Sequence, residues 1–118
     1  MSNEITLIAQ FQIHSGKQEE MKDIFDEAMD TVAHMEPDTL SFTLYISDDE
    51  SVFTSFEVYK NSEGIMKNFE LSESRIGRVL SASDLLSCEI YGDASQDLRD
   101  MLSPYGADFF NYDRGYNR

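Results

Sequence analysis

Hydrophobic and polar positions alternate along residues 5–13, with Ile5, Leu7, Ala9, Phe11 and Ile13 on one side and Thr6, Ile8, Gln10 and Gln12 on the other. A period of two is the signature of a half-buried strand. The period then lengthens. Met21, Ile24, Phe25, Ala28, Val32 and Met35 recur at steps of three and four, which predicts a helix of about five turns with one apolar stripe. Ser15 and Gln18 have the spacing of a capping box at its start. Pro37 stops it, because the residue before a proline is pushed out of helical geometry.

Period two returns over residues 39–46, where Leu40, Phe42, Leu44 and Ile46 oppose Thr39, Ser41, Thr43 and Tyr45. Over residues 52–59, Val52, Thr54, Phe56 and Val58 oppose Phe53, Ser55, Glu57 and Tyr59. The short polar segment Ser47-Asp48-Asp49-Glu50 between them predicts a hairpin. Asn61 or Ser62 caps a helix carrying Ile65, Met66 and Phe69, and Ser72 another carrying Ile76, Val79 and Leu80. A last strand over 84–91 sets Leu86, Cys88 and Ile90 against Leu85, Ser87, Glu89 and Tyr91.

The resulting order, β-α-β-β-α-β, predicts an α+β fold: a ferredoxin-like antiparallel sheet with helices on one face. The more apolar side of each strand is expected under the helices. The mixed side, bearing Gln10, Thr43, Tyr45, Ser55, Glu57, Tyr59, Glu89 and Tyr91 among others, is expected to meet a second subunit's sheet. Residues 1–92 form this domain. Residues 93–118 add a C-terminal helix, capped by Ser95 and ended by Pro104, and an aromatic tail with Tyr105, Phe109, Phe110, Tyr112 and Tyr116. Five aromatics are too many to leave in water, so the tail is expected to pack on its own domain or on the partner.

Composition narrows the function classes. The 118 residues suffice for one core and not for two. A formal charge of −14 opposes binding to nucleic acid or to an anionic membrane surface. No apolar run approaches the roughly 20 residues of a membrane span, and the N-terminus has no signal-peptide pattern. A single cysteine, Cys88, rules out an internal disulfide and points to the reducing cytoplasm. Two separated histidines and scattered carboxylates fit no metal-ligand spacing, so no metal or other cofactor is expected.

Gly16-Lys17 opening the first helix, Glu36-Pro37 closing it, and Glu57-x-Tyr59 ending the third strand occur in an order that resembles the antibiotic biosynthesis monooxygenase-like (ABM) domains, over about residues 4–91. The resemblance implies a dimeric α+β barrel: a homodimer joined through its sheet faces, with a pocket between sheet and helices in each subunit. Some members of that family oxidise quinols or polyketide aromatics with O2 and neither metal nor flavin. Others degrade haem through a helix histidine. Where many members carry a histidine in the second helix this chain has Asn68, and Tyr59 replaces the family's usual tryptophan.

The candidate site follows from both lines. Glu57, a carboxylate on a partly buried face, is either a general base with a raised pKa or a partner in a hydrogen bond or ion pair across the dimer. Asn68 and Tyr45 are candidates to orient a ligand. Phe11, Phe42, Phe56 and Phe69 are candidate apolar walls, and Tyr59 an aromatic contact. His34, near the end of the first helix, is a third catalytic candidate. Cys88, on the apolar side of its strand, is expected to be inert. The function expected is a cofactor-independent monooxygenase acting on a small aromatic or quinol-type substrate. The alternative is a non-catalytic homodimeric barrel that binds a small apolar ligand or serves as an assembly module.

Overall fold

The computed structural model describes residues 3–118. Its elements run β1 (Ile5–Ile13), α1 (Gln18–Met35), β2 (Thr39–Ile46), β3 (Val52–Tyr59), α2 (Ser62–Leu71), α3 (Glu73–Ala82), β4 (Ser83–Tyr91), α4 (Gln96–Leu102), a 3-10 turn (Ser103–Tyr105) and β5 (Asp108–Phe110). The strands form one sheet in the order β2-β3-β1-β4-β5. The first four pair antiparallel in the ferredoxin-like arrangement that the sequence predicts. β5 adds a short parallel edge on β4.

β1 is the central strand, and all five of its odd-numbered residues are buried under the helices. Met21, Ile24 and Phe25 from α1, Ile65 from α2, and Leu98 and Leu102 from α4 complete this layer. Phe25 links the rings of Phe11 and Phe42, with centroids 6.2 and 6.1 Å away. Met35 ends the predicted stripe but is 59% exposed, and the buried residues of α1 are confined to Met21, Ile24 and Phe25. Ser15 does not cap α1. The helix starts at Gln18, after a turn in which the Lys17 amide bonds the His14 carbonyl and Gly16 takes φ +79°. Asn61 caps α2 through the Gly64 amide at 2.9 Å, and Ser95 caps α4 through the Leu98 amide.

Two strand faces differ from the sequence expectation. On β3, Phe53, Ser55, Glu57 and Tyr59 face the helices, and Thr54 and Phe56 face away. The register requires it: Glu57 stands opposite Leu7, a core residue, whereas Phe56 stands opposite Ile8. On β4 the register slips between Gln10 and Phe11, so that Ser87 pairs with Gln10 but Leu85 with Phe11. This bulge turns Leu86 outward, 53% exposed, and sets Leu85 on the helix side.

The C-terminal segment closes back on the sheet. The Gly92 amide bonds the Phe110 carbonyl at 2.9 Å, and the Phe110 ring stacks on Tyr91 with centroids 4.9 Å apart. Arg99 lies over Phe109 and donates to Asn111. Tyr112 and Tyr116 remain exposed.

Gly92 sits at φ +121°, and a Cβ there would come within 2.5 Å of the Glu4 carbonyl oxygen. Gly92→Ala is therefore expected to cost about 1–3 kcal/mol, read as a lower urea midpoint. Gly77 lies within α3 with open space where its Cβ would be. Gly77→Ala is expected to add about 0.5–1 kcal/mol of stability, read as a higher urea midpoint.

Candidate functional site

Between the helix-facing side of the sheet and helices α1 to α3 lies a cavity of about 110 Å³. Leu7, Ala9 and Phe11 of β1, Phe42 of β2 and Leu85 of β4 form its floor. Ile24, Phe25 and Ala28 of α1 face Ile76, Val79 and Leu80 of α3 across it, and Leu80, 39% exposed, marks where it opens. The polar members of the wall are Glu57, Asn68, Ser72 and Arg75.

These four belong to one chain of hydrogen bonds. The Glu57 carboxylate accepts from the Ser55 hydroxyl with one oxygen and from the Tyr59 hydroxyl with the other. Alternation along β3 makes this possible, since residues two apart share a face. Tyr59 is fully buried behind Glu57, and Asn68 Nδ2 donates to its hydroxyl at 2.8 Å. Ser72, at the break between α2 and α3, donates to Asn68 Oδ1 at 3.4 Å and accepts from Arg75 Nη2 at 2.9 Å. Arg75 Nη1 reaches across to Thr31 of α1 at 3.2 Å.

Burial raises the Glu57 pKa above the usual carboxylate value, more than its two donors lower it. The Tyr59 hydroxyl is pushed well up, first by burial and then by the adjacent Glu57 charge, so it stays a proton donor. Burial also pushes the Cys88 thiol up to about 11. Cys88 lines the cavity as a small apolar group and not as a thiolate.

The structure thus brings together Glu57, Asn68, Phe11, Phe42 and Phe69 on the cavity wall, with Tyr59 in direct support. It does not bring in the other three candidates. His34 is exposed on the last turns of α1, bonded at 2.8 Å to the Asp30 carbonyl one turn back. Tyr45 (60% exposed) and Phe56 (37%) lie on the opposite face of the sheet. Ser72 and Arg75 were not among the candidates. Their signal was position: Arg75 and Val79 are four apart, so a cation shares the apolar stripe of α3. Tyr105 of the 3-10 turn also joins the wall, its ring 6.2 Å from Phe69. Among the described residues no group of three His, Cys, Asp or Glu side chains is placed to hold a metal ion, and no helix is long and apolar enough to cross a membrane.

No curated protein matches the sequence. Among solved structures, MupZ from Pseudomonas fluorescens superposes with a TM-score of 0.86 at 15% identity, covering 99% of this chain and 96% of that one. SnoaB from Streptomyces nogalater, described as a cofactor-independent oxygenase, gives 0.68 at 16% identity over 80% of this chain and 96% of its own. Rv0793 from Mycobacterium tuberculosis gives 0.68 at 14% identity, with 79% and 97% covered. These likenesses establish a shared fold. At the level of sequence, the model of the family described as antibiotic biosynthesis monooxygenase matches residues 4–74, more than half of the chain. That stretch holds β1, α1, the hairpin and α2, with both Glu57 and Asn68, and on this ground the chain belongs to the antibiotic biosynthesis monooxygenase family.

Proposed function

We propose that the chain is a cofactor-independent monooxygenase of the reducing cytoplasm, acting on a small aromatic or quinol-type substrate. The observation that carries this reading is Glu57: a buried carboxylate on the wall of an otherwise apolar cavity, held by two hydroxyl donors. Family membership and the fold shared with SnoaB point the same way.

The chemistry needs little beyond what these residues supply. Glu57 takes a proton from the substrate, leaving an electron-rich anion. One electron passes from it to O2, the two radicals combine at a ring carbon, and loss of water from the peroxide leaves a carbonyl. The peroxide regains the proton that Glu57 took, so one O2 converts a phenolic C–OH and a ring C–H to the two C=O groups of a quinone and releases one water. A mostly apolar cavity suits each step, since burial raises the basicity of Glu57 and a bound ring displaces water from the reactive species. Ser55 and Tyr59 fix the carboxylate, and Asn68 fixes Tyr59.

The volume limits the substrate. A dry cavity of roughly 150 Å³ accommodates one benzene. At about 110 Å³, this one has room for no more than a single ring, with the rest of the molecule leading out past Leu80.

We place a homodimer contact on the open face of the sheet. Ile8, Tyr45, Phe56, Val58, Tyr91 and Phe110 cluster there, interleaved with Thr6, Gln10 and Thr54, and no helix among the described residues covers them. Apolar side chains interleaved with polar ones on an uncovered face are what a sheet-to-sheet contact needs.

Oxygen uptake with a panel of single-ring quinols and naphthol-type substrates tests the reaction. Wild-type protein is expected to consume O2 above the buffer rate. Glu57→Gln should lower that rate by about 10²–10⁴-fold and Asn68→Ala by about tenfold. No uptake by the wild type, or full activity in Glu57→Gln, would leave the non-catalytic binding barrel as the better reading.

The base must be ionised to act, so kcat/KM is expected to rise with pH through a value above the ordinary carboxylate pKa of 4.5. Stability has the opposite sign. Between the unfolded value and the raised folded one, the folded protein holds a proton that the unfolded chain has lost, so stability falls as pH rises across that window. Glu57→Gln should flatten that slope in thermal melts taken across it.

Sedimentation is expected to give about twice the 13.5 kDa chain mass. Phe56→Glu should shift the protein toward monomer, with roughly 30-fold or greater weakening. A wild-type monomer at micromolar concentration would remove the dimer.

A further inference from the structure

Among the described residues Arg75 is the one basic side chain on the cavity wall. Its two hydrogen bonds go to the neutral hydroxyls of Thr31 and Ser72. Its Nε–H is buried with no acceptor. Three residues on, Arg78 is satisfied by Glu27, with nitrogen and oxygen 2.7 Å apart. Arg75 acts on Glu27 only at longer range, as the smallest of the effects that lower that carboxylate's pKa. In a chain with 23 Asp and Glu against 9 Lys and Arg, this cation on an apolar cavity wall has no carboxylate within ion-pair distance among the described residues. An unpaired donor kept from water is destabilising until an acceptor reaches it. A guanidinium pinned by two hydroxyls, with donors to spare, is organised to receive a planar anion.

Position within the site indicates which anion. Four hydrogen bonds separate Glu57 from Arg75, by way of Tyr59, Asn68 and Ser72. An oxyanion formed when Glu57 takes a proton lies beside Glu57, at the other end of this chain. Arg75 is therefore placed for a second group that is already ionised when the substrate enters. Its Nη1 and Nη2 hold Thr31 of α1 and Ser72 at the α2–α3 break, so the guanidinium bridges the helices that wall the cavity.

We propose that Arg75 recognises a carboxylate on the substrate, which makes the substrate class a hydroxylated aromatic acid. Its ring occupies the apolar chamber, its hydroxyl edge meets Glu57, and its acid group pairs with Arg75. This rests on reading the cavity as the substrate site and adds to it the identity of the second polar anchor. Arg75 sets specificity here and takes no part in proton transfer.

Calorimetric titration of the full chain under argon, near neutral pH, with gentisate and with its neutral amide gentisamide tests this. Gentisate is expected to bind about tenfold to a hundredfold more tightly. Arg75→Met should abolish the preference by weakening gentisate alone, and Arg75→Lys, which keeps a charge without the planar fork, should retain part of it. Equal binding of the two by the wild type overturns the proposal. So does a preference that survives in Arg75→Met, or no binding of either compound up to millimolar concentration. Should Arg75→Met lose its circular-dichroism signature of folding, the wild-type comparison and Arg75→Lys decide alone. No turnover is required under argon. A failed oxygenase reading would leave an acid preference standing, whereas oxidation of neutral quinols without an acid preference would remove only the role of Arg75.

Discussion

A carboxylate held among aliphatic and aromatic side chains is the constraint to which much of this structure answers. Glu57 stands on the core side of β3, opposite Leu7 of β1 and Phe42 of β2. An ionised group there costs several kcal/mol unless it is paired or hydrogen-bonded, or takes up a proton. The chain uses hydrogen bonds, from Ser55 and Tyr59. Ser55 and Tyr59 must then share its face, Tyr59 must find a donor in Asn68, and Asn68 in turn fixes how α2 lies on the sheet. The break at Ser72 lets the same line of hydrogen bonds continue to α3. Part of the helical layer is thus set by where a single charge is stored.

Much of the fold was legible in the sequence, because period two and period 3.6 are local and each strand and helix carries enough residues to show one. β1 was read with the correct face, since its outer side is mostly Gln and Thr. β3 was not. Its outer face, with Val52, Phe56 and Val58, is more apolar than the inner one with Ser55, Glu57 and Tyr59. Amphipathicity points the wrong way when the core holds polar groups and the open face holds aromatics. The register against β1 settles the matter, and that information is not local. Likewise Glu57 and Asn68 could be singled out one at a time. Their connection through Tyr59, and its continuation to Ser72 and Arg75, depends on a strand and two helices meeting.

The cavity has two parts with different relations to other proteins. Glu57, Tyr59, Asn68 and Ser72 fall inside the stretch that matches the family model. Arg75, Ile76, Val79, Leu80, Leu85, Cys88 and Tyr105, which face them, all lie beyond it. SnoaB and Rv0793 cover about four-fifths of the chain, whereas the superposition with MupZ covers nearly all of it. The polar centre of the cavity thus lies in the part of the chain that matches the family model, and the wall that closes it from α3, β4 and the 3-10 turn lies outside that part.

The bulge on β4 extends this division to the backbone. Below Ser87 the strand is paired one residue out of step with its upper half, so Leu85 rather than Leu86 enters the chamber and Asp84 turns out to meet His14. The strand has in effect two registers joined at one loose link. Gaining or losing a residue at that link would exchange the side chains lining this wall and leave the pairing of the upper half with β1 intact. In a single irregular position the chain carries a means of reshaping this cavity by counting residues instead of replacing them.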